Sequence, residues 1–248
     1  MLSKIIAKGP FLPENISLVT NPVSQRQTNP EIEEIISQTW NLLETKAKEQ
    51  NQMLWNGESL RLDDLKEENG SLILYTSPTD YKTRTCLERN FVKVESLGLA
   101  YFSAGLAIGG FVETLDGFFV FNQRSSKSVE EYRVDFIGGV MDNVLAKDGF
   151  DLLNHNYLEI EEEINVKLES IENISILGLI LTNYGNVIIV THAKLNLSFD
   201  EVNSLFEQNN DGEVQNLVKV SKEGLAEFMA KLGGYKSCAF ELFKSNLE

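Results

Sequence analysis

Residues 157–166 read YLEIEEEINV, a stretch that holds four glutamates within five positions: Glu159, Glu161, Glu162 and Glu163. In a helix, side chains three or four residues apart lie next to each other, so Glu159, Glu162 and Glu163 share one face and Glu161 points elsewhere. Like charges at this spacing cost only about 0.2 to 0.5 kcal/mol per pair, which a folded domain tolerates. The stretch therefore predicts a helix and leaves two interpretations open: a solvated acidic face, or carboxylates that gather around a metal ion.

We expect this helix to span roughly 149–164. The sequence on both sides of it predicts a mixture of strands and helices. Upstream, an alternating region that begins near Leu99 contains the hairpin signal Asp116-Gly117. Downstream, two apolar strands flank a break at residues 184–186, and the tail from Ser198 is predicted to be mostly helical. Strands and helices without strict βαβ alternation favour an α+β sandwich over a doubly wound sheet.

The N-terminal third has a pattern of its own. A helix is predicted to start at Asn29, which precedes a proline and helically spaced isoleucines. Turn signals at residues 56–57 and 68–70 then separate short β-like runs. We therefore divide the chain into a small α+β extension, residues 1–92, and a main domain, residues 93–248.

Composition narrows the classes of partner. The chain has 248 residues, of which 42% are hydrophobic, and a net charge of -15, so its average field repels nucleic acid and anionic membrane surfaces. An anionic small molecule would need a local cation, which a divalent metal on carboxylates supplies. Cys86 and Cys238 lack the spacing of a disulfide framework or a zinc site. No apolar run is long enough for a signal peptide or a membrane span, so we expect a cytoplasmic protein.

The segment that precedes the acidic helix gives it a context. A strand ends in FIGG at Gly138 and Gly139, Asp142 follows, and LEIEEEINV then occupies residues 158–166. This order resembles the Nudix box, with Glu159 on the first glutamate of the motif and Glu162 and Glu163 on the glutamate pair. The sequence departs from the box in three ways. Leu158 replaces an arginine, Asn165 replaces a glycine, and Glu159 follows Gly139 by twenty residues instead of fifteen.

Further phrases point to one branch of that superfamily. From about residue 30 onward the chain is similar to the Nudix enzymes that cleave UDP-glucose and UDP-galactose. The phrases that carry this resemblance occur in the order TWNLL, LWNGESLRL, SPTDYKT, VFNQRS and FIGGVMDN. The resemblance implies a Nudix fold, which is an α/β/α sandwich around a mixed sheet, with a small N-terminal extension. It also implies metal-dependent hydrolysis of a UDP-sugar to UMP and hexose 1-phosphate, with Mg²⁺ or Mn²⁺ as the cofactor.

The resemblance assigns roles to individual residues. Glu159, Glu162 and Glu163 are the expected metal ligands, and one of them is a candidate base that activates water. Asp142 is either a further ligand or base, or a turn residue. Gly138 and Gly139 are expected to let the backbone approach a phosphate, although a tight turn alone also uses glycine. Arg124 is expected either to pair with a phosphate or to be an ordinary surface arginine.

The nucleotide-binding residues are expected in the phrase TDYKT. Asp80 would bind a ribose hydroxyl, Tyr81 would stack on the base and Lys82 would contact a phosphate, although an ordinary hairpin loop explains the same residues. His155 and His192 have no partner motif, and we interpret both as structural.

Three alternatives to the UDP-sugar hypothesis remain open. The same chemistry would serve another nucleoside diphosphate derivative, such as ADP-ribose or a dinucleotide. Leu158 and the displaced glycine spacing motivate a non-catalytic nucleotide-binding module, because the arginine of the box fixes the glutamates. A plain interaction scaffold would bind neither metal nor nucleotide.

Overall fold

The computed structural model describes residues 2–50, 53–125, 133–142, 152–208 and 214–246. The strands are β1 (Lys4–Phe11), β2 (Ile16–Thr20), β3 (Glu58–Glu68), β4 (Ser71–Asp80), β5 (Leu106–Glu113), β6 (Phe118–Arg124), β7 (Val134–Asp135), β8 (Ile137–Val140), β9 (Ile171–Leu181), β10 (Val187–Leu195) and β11 (Val214–Ser221). The helices are α1 (Pro30–Glu49), α2 (Tyr81–Arg89), α3 (Phe91–Val94), α4 (Leu152–Ile164), α5 (Phe199–Gln208), α6 (Leu225–Leu232) and α7 (Tyr235–Ser245). None of the helices in these ranges is long and apolar enough to cross a membrane.

The main body is built on a mixed sheet. Its strands follow the order β1-β9-β10-β5-β6-β11, with β8 paired to β5 and β7 paired to β6. Strand β10 runs parallel to β5 and antiparallel to β9. The protein therefore has the α+β class expected from its sequence.

Helices cover both faces of this sheet. Successive residues of a strand point to opposite faces, so Phe111 and Val112 mark the two sides of β5. Phe111 belongs to a buried cluster with residues of α6 and α7, whereas Val112 belongs to one with residues of α4 and α5. The result is the expected α/β/α sandwich.

A second, smaller sheet lies at one end of the sandwich. It has the order β2-β4-β3, and its leucines pack against Leu106 and Ile108 of β5. Helix α1 packs on α2 in a separate cluster around Trp40. The boundary between residues 92 and 93 stays a prediction, and β1, although it lies within residues 1–92, pairs with β9 in the large sheet.

Several predicted elements are confirmed. Helix α1 begins after Asn29, whose side chain accepts a hydrogen bond from the Ile32 backbone N–H at 2.8 Å. Strands β5 and β6 form the expected hairpin around residues 116–117, and β9 and β10 flank the break at residues 184–186.

The tail from Ser198 is mostly helical, as predicted, because α5, α6 and α7 lie in it. Strand β11, which pairs antiparallel with β6, interrupts these helices and was not predicted. Pairing with β6 at the edge of the sheet makes this segment a strand, and the local sequence does not predict that contact. The phrase TDYKT begins helix α2 and is not a hairpin loop, because Asp80 accepts a hydrogen bond from the Thr83 backbone N–H at 2.7 Å and so caps the helix.

Candidate active site

The acidic helix α4 lies along strand β8, and its contacts with that strand define the site. Side chains four residues apart share one face of a helix. Three side chains at that spacing each meet one of three consecutive β8 residues: His155 meets Val140, Glu159 meets Gly139, and Glu163 meets Gly138. The fold therefore brings two of the three predicted glutamates to the predicted glycine pair.

Glu163 is mostly buried, with 11% of its side chain exposed, and several donors hold its carboxylate. Its carboxylate accepts hydrogen bonds from Asn122 Nδ2 at 2.9 and 3.0 Å and from the Gly138 backbone N–H at 3.0 Å. Arg124 Nη2 lies 3.4 Å from Glu163 Oε1. Burial raises the pKa of Glu163 from 4.5 to about 7, and the charge of Arg124 and the two hydrogen-bond donors only partly offset this increase.

The two glycines allow this close approach in different ways. Gly138 has a φ of 147°, and a Cβ there would overlap the backbone carbonyl of Ile108. At Gly139 a Cβ would overlap the carboxylate of Glu159. A side chain at residue 139 would therefore displace that carboxylate, whereas one at residue 138 would disturb the β5–β8 pairing.

The remaining acids of the motif lie differently. Glu162 is exposed, and Glu161 forms an ion pair with Lys167 on the surface. Asp142 follows β8 and is exposed, and its charge acts on buried His155. Sequence reasoning gave His155 a structural role, yet its Nε2 lies 3.4 Å from Glu159 Oε1. The four-residue spacing of His155, Glu159 and Glu163 in a helix is the sequence signal that predicts this contact.

The carboxylate oxygens at this site have the chemistry of ligands for a divalent metal. Glu159 and Glu163 offer hard carboxylate oxygens, and burial without a full counter-charge raises the pKa of Glu163, a deficit that a cation would correct. Within the described residues no three His, Cys, Asp or Glu side chains form a preassembled metal cluster. Glu159 and Glu163 are the carboxylates that would hold an ion, and the ligand roles of Glu159, Glu162, Glu163 and Asp142 all stay predictions.

A cavity of about 860 Å³ adjoins these contacts. Gly138, Gly139 and Arg124, each of which contacts one of the two carboxylates, form part of its wall, although neither glutamate is itself a lining residue. The cavity therefore extends to the backbone of Gly138 and Gly139 and to Arg124. These residues contact the candidate metal ligands, Glu159 and Glu163.

The cavity is rich in arginine, although the chain is strongly acidic. Its lining includes Arg84, Arg89, Arg124 and Arg133. Arg133 pairs with Asp135 at 3.2 Å. In the part of the chain that the structure describes, Arg84 has no carboxylate partner, and its guanidinium carbon lies 5.5 Å from the centre of the Tyr81 ring. A guanidinium group can bind an anion such as a diphosphate.

Aromatic side chains line the same cavity. They are Trp55, Tyr81, Phe136, Tyr184 and Tyr235, and Trp55 is 75% exposed. Of the three residues predicted to bind the nucleotide, only Tyr81 lines the cavity. Asp80 caps α2, and Lys82 Nζ lies 5.9 Å from the centre of the Trp40 ring.

Sequence reasoning missed Asn122 and three of the cavity arginines. Asn122 had a signal, because it lies two residues before Arg124 in a strand and so shares its face. No sequence signal indicates Arg84, Arg89 and Arg133, because only the three-dimensional fold brings α2 next to the residues around β7.

Comparison with known proteins does not show which family this chain belongs to. No family model and no curated protein matches it. Among solved structures, a Deinococcus radiodurans protein has 16% identity and a TM-score of 0.40 over 56% of this chain and 82% of that one. A NUDIX hydrolase from Nitrosomonas europaea has 10% identity and a TM-score of 0.40 over 57% and 89%. A MutT protein from Methanosarcina mazei has 14% identity and a TM-score of 0.38 over 58% and 96%.

Proposed function

We propose that this protein is a Nudix pyrophosphohydrolase that cleaves UDP-glucose or UDP-galactose to UMP and hexose 1-phosphate. The observation that carries the proposal is the mostly buried Glu163 carboxylate, which Gly138 N–H, Asn122 and Arg124 hold beside an arginine-lined cavity. The ordered sequence phrases support the choice of a UDP-sugar.

The reaction requires water to attack phosphorus while negative charge on the phosphate oxygens is stabilised. Mg²⁺ or Mn²⁺, held by Glu159 and Glu163, would neutralise the diphosphate and lower the pKa of water. Asn122 and the Gly138 N–H fix the orientation of the Glu163 carboxylate. Rigid ligands of this kind place charge where the transition state needs it.

The cavity supplies the remaining contacts. Arg84 and Arg124 bind the diphosphate oxygens, since guanidinium groups match phosphate geometry. The aromatic rings of Trp55 and Tyr184 provide apolar surfaces for the base. Because any base has an aromatic face, these rings do not select uracil, and ADP-ribose is the competing substrate.

The test is a substrate panel with the purified protein. UDP-glucose, UDP-galactose and ADP-ribose are each incubated with millimolar Mg²⁺ or Mn²⁺, or with EDTA, and the products are quantified by chromatography. We expect metal-dependent UMP and hexose 1-phosphate, with the highest kcat/KM for a UDP-hexose. A higher kcat/KM for ADP-ribose would overturn the choice of sugar nucleotide, and no product from any compound would overturn the hydrolase.

A further inference from the structure

A buried histidine beside Glu159 has an unused nitrogen. His155 is only 6% exposed, and its Nε2 has no hydrogen-bond partner in the described part of the chain. Glu159 Oε1 lies 3.4 Å from this nitrogen. A buried polar atom without a partner is costly, so the arrangement implies that something else satisfies it.

The backbone of Val140 indicates which nitrogen of the ring carries the proton. Burial lowers the pKa of His155, and the Val140 backbone opposes this decrease, as a carbonyl that accepts a hydrogen bond from a ring N–H does. Because Nε2 has no partner, Nδ1 is the donor. In the neutral ring, Nε2 then carries a lone pair that faces Glu159.

A lone pair on Nε2 and a carboxylate oxygen cannot bond to each other, whereas a cation can bind both. Histidines that bind metals typically donate their second N–H to a backbone carbonyl or a carboxylate, as His155 does with Val140. We infer that Nε2 of His155 is a ligand of the divalent ion held by Glu159, so that the site combines imidazole with carboxylates. This inference rests on the metal of the proposed function and adds a ligand that the Nudix-box resemblance does not assign.

A mixed ligand set has a consequence for metal choice. Mg²⁺ strongly prefers oxygen ligands, whereas first-row transition ions also accept imidazole nitrogen. The inferred site therefore binds Mn²⁺ more tightly than Mg²⁺. A site built on carboxylates alone would show less discrimination.

The experiment is pulsed electron paramagnetic resonance on the full chain loaded with Mn²⁺. Protein labelled with ¹⁵N only at histidine is compared with unlabelled protein, so that a hyperfine coupling that changes from ¹⁴N to ¹⁵N identifies a coordinated imidazole. We expect this coupling in the native sequence and its loss in His155→Gln. Mn²⁺ affinity, measured from the signal of free Mn²⁺, is expected to fall about tenfold or more in the same variant.

The second histidine provides a matched control. The chain has two histidines, and His192 is also buried but hydrogen-bonds Glu113 at 2.8 Å on another strand. His192→Gln should keep the histidine coupling and the Mn²⁺ affinity.

The outcomes separate this inference from the proposed function. Mn²⁺ binding without a histidine coupling in the native sequence would overturn the inference, leave the hydrolase intact, and mean that a proton on Nε2 joins His155 to Glu159. Absence of Mn²⁺ binding together with absence of UMP release would overturn both. The native spectrum decides the matter even if His155→Gln fails to fold.

Discussion

At the scale of single residues, the distinctive property of Glu163 is its raised pKa. Burial raises its pKa to about 7, so the protein without metal favours the neutral carboxyl at mildly acidic pH. A raised folded-state pKa means that the stability linked to this group is complete below about pH 4.5. It is then lost as pH rises through about 7.

The first prediction concerns stability without metal. Between pH 4.5 and 8 in EDTA, Glu163 should lower the free energy of unfolding by about 3 kcal/mol, since each unit of pKa shift corresponds to about 1.4 kcal/mol. Glu163→Gln cannot ionise and should lose this part of the pH dependence, whereas Glu161→Gln, at the surface, should keep it. Urea unfolding at several pH values measures the difference. Equal pH slopes for Glu163→Gln and the native protein would show that Glu163 titrates normally.

The second prediction uses the two neighbouring glycines. Gly139→Ala should keep the fold but weaken metal binding, because the new Cβ displaces the Glu159 carboxylate, the end of a flexible side chain. Gly138→Ala should destabilise the protein by several kcal/mol, because its Cβ meets backbone and its φ of 147° disfavours a side chain. Thermal unfolding and Mn²⁺ titration separate the two effects. Unchanged Mn²⁺ affinity in Gly139→Ala would argue against Glu159 as a ligand.

At the scale of secondary-structure elements, helix α2 carries Tyr81, Arg84 and Arg89 to the cavity, and Asp80 starts this helix. A carboxylate at an N-cap satisfies a backbone donor that would otherwise lack a partner. In the structure Asp80 thus caps helix α2, whereas the sequence suggested a ribose contact.

The third prediction distinguishes these two roles of Asp80. Asp80→Ala should lower the free energy of unfolding by about 1 kcal/mol, and Asp80→Asn should not, because asparagine caps helices equally well. If Asp80 acts only as a cap, Asp80→Asn also keeps the KM of the native enzyme. A rise in KM for Asp80→Asn at unchanged stability would restore the ribose contact.

The elements differ in how far sequence alone predicts them. Helices α1 and α4 and the hairpin of β5 and β6 were predictable because periodicity, capping and turn residues all act locally. Strand β11 was not, because its pairing partner β6 is about 90 residues away in the sequence. Helix α2 was missed because the Asp80 cap resembles a turn signal.

At the scale of the whole molecule, the charge distribution is uneven. The net charge is -15, yet Arg84, Arg89, Arg124 and Arg133 line one cavity. The placement of Glu159 and Glu163 on one face of α4 could be predicted from their spacing. The arginines could not, because they come from separate elements and meet only in the folded protein.

The fourth prediction tests this cavity as the site that binds the diphosphate. Arg84→Gln should raise the KM for UDP-glucose about tenfold, since a hydrogen bond to a charged group contributes about 1.5 to 3 kcal/mol. Lys231→Gln removes the same charge from α6, where Lys231 pairs with Glu227 outside the cavity, and should leave KM unchanged. Steady-state kinetics measure both variants. Equal KM values for Arg84→Gln and Lys231→Gln would place the diphosphate elsewhere.

The most direct measurement compares UMP release from UDP-glucose by Glu163→Gln and Glu161→Gln in saturating Mn²⁺. Both variants remove one carboxylate from the same helix, but only Glu163 contacts Gly138, Asn122 and Arg124. We predict that Glu163→Gln lowers kcat by about a hundredfold or more, as loss of a group that acts in the transition state does, while Glu161→Gln keeps the native kcat. Native activity in a folded Glu163→Gln variant would contradict the assignment of this mostly buried carboxylate to catalysis.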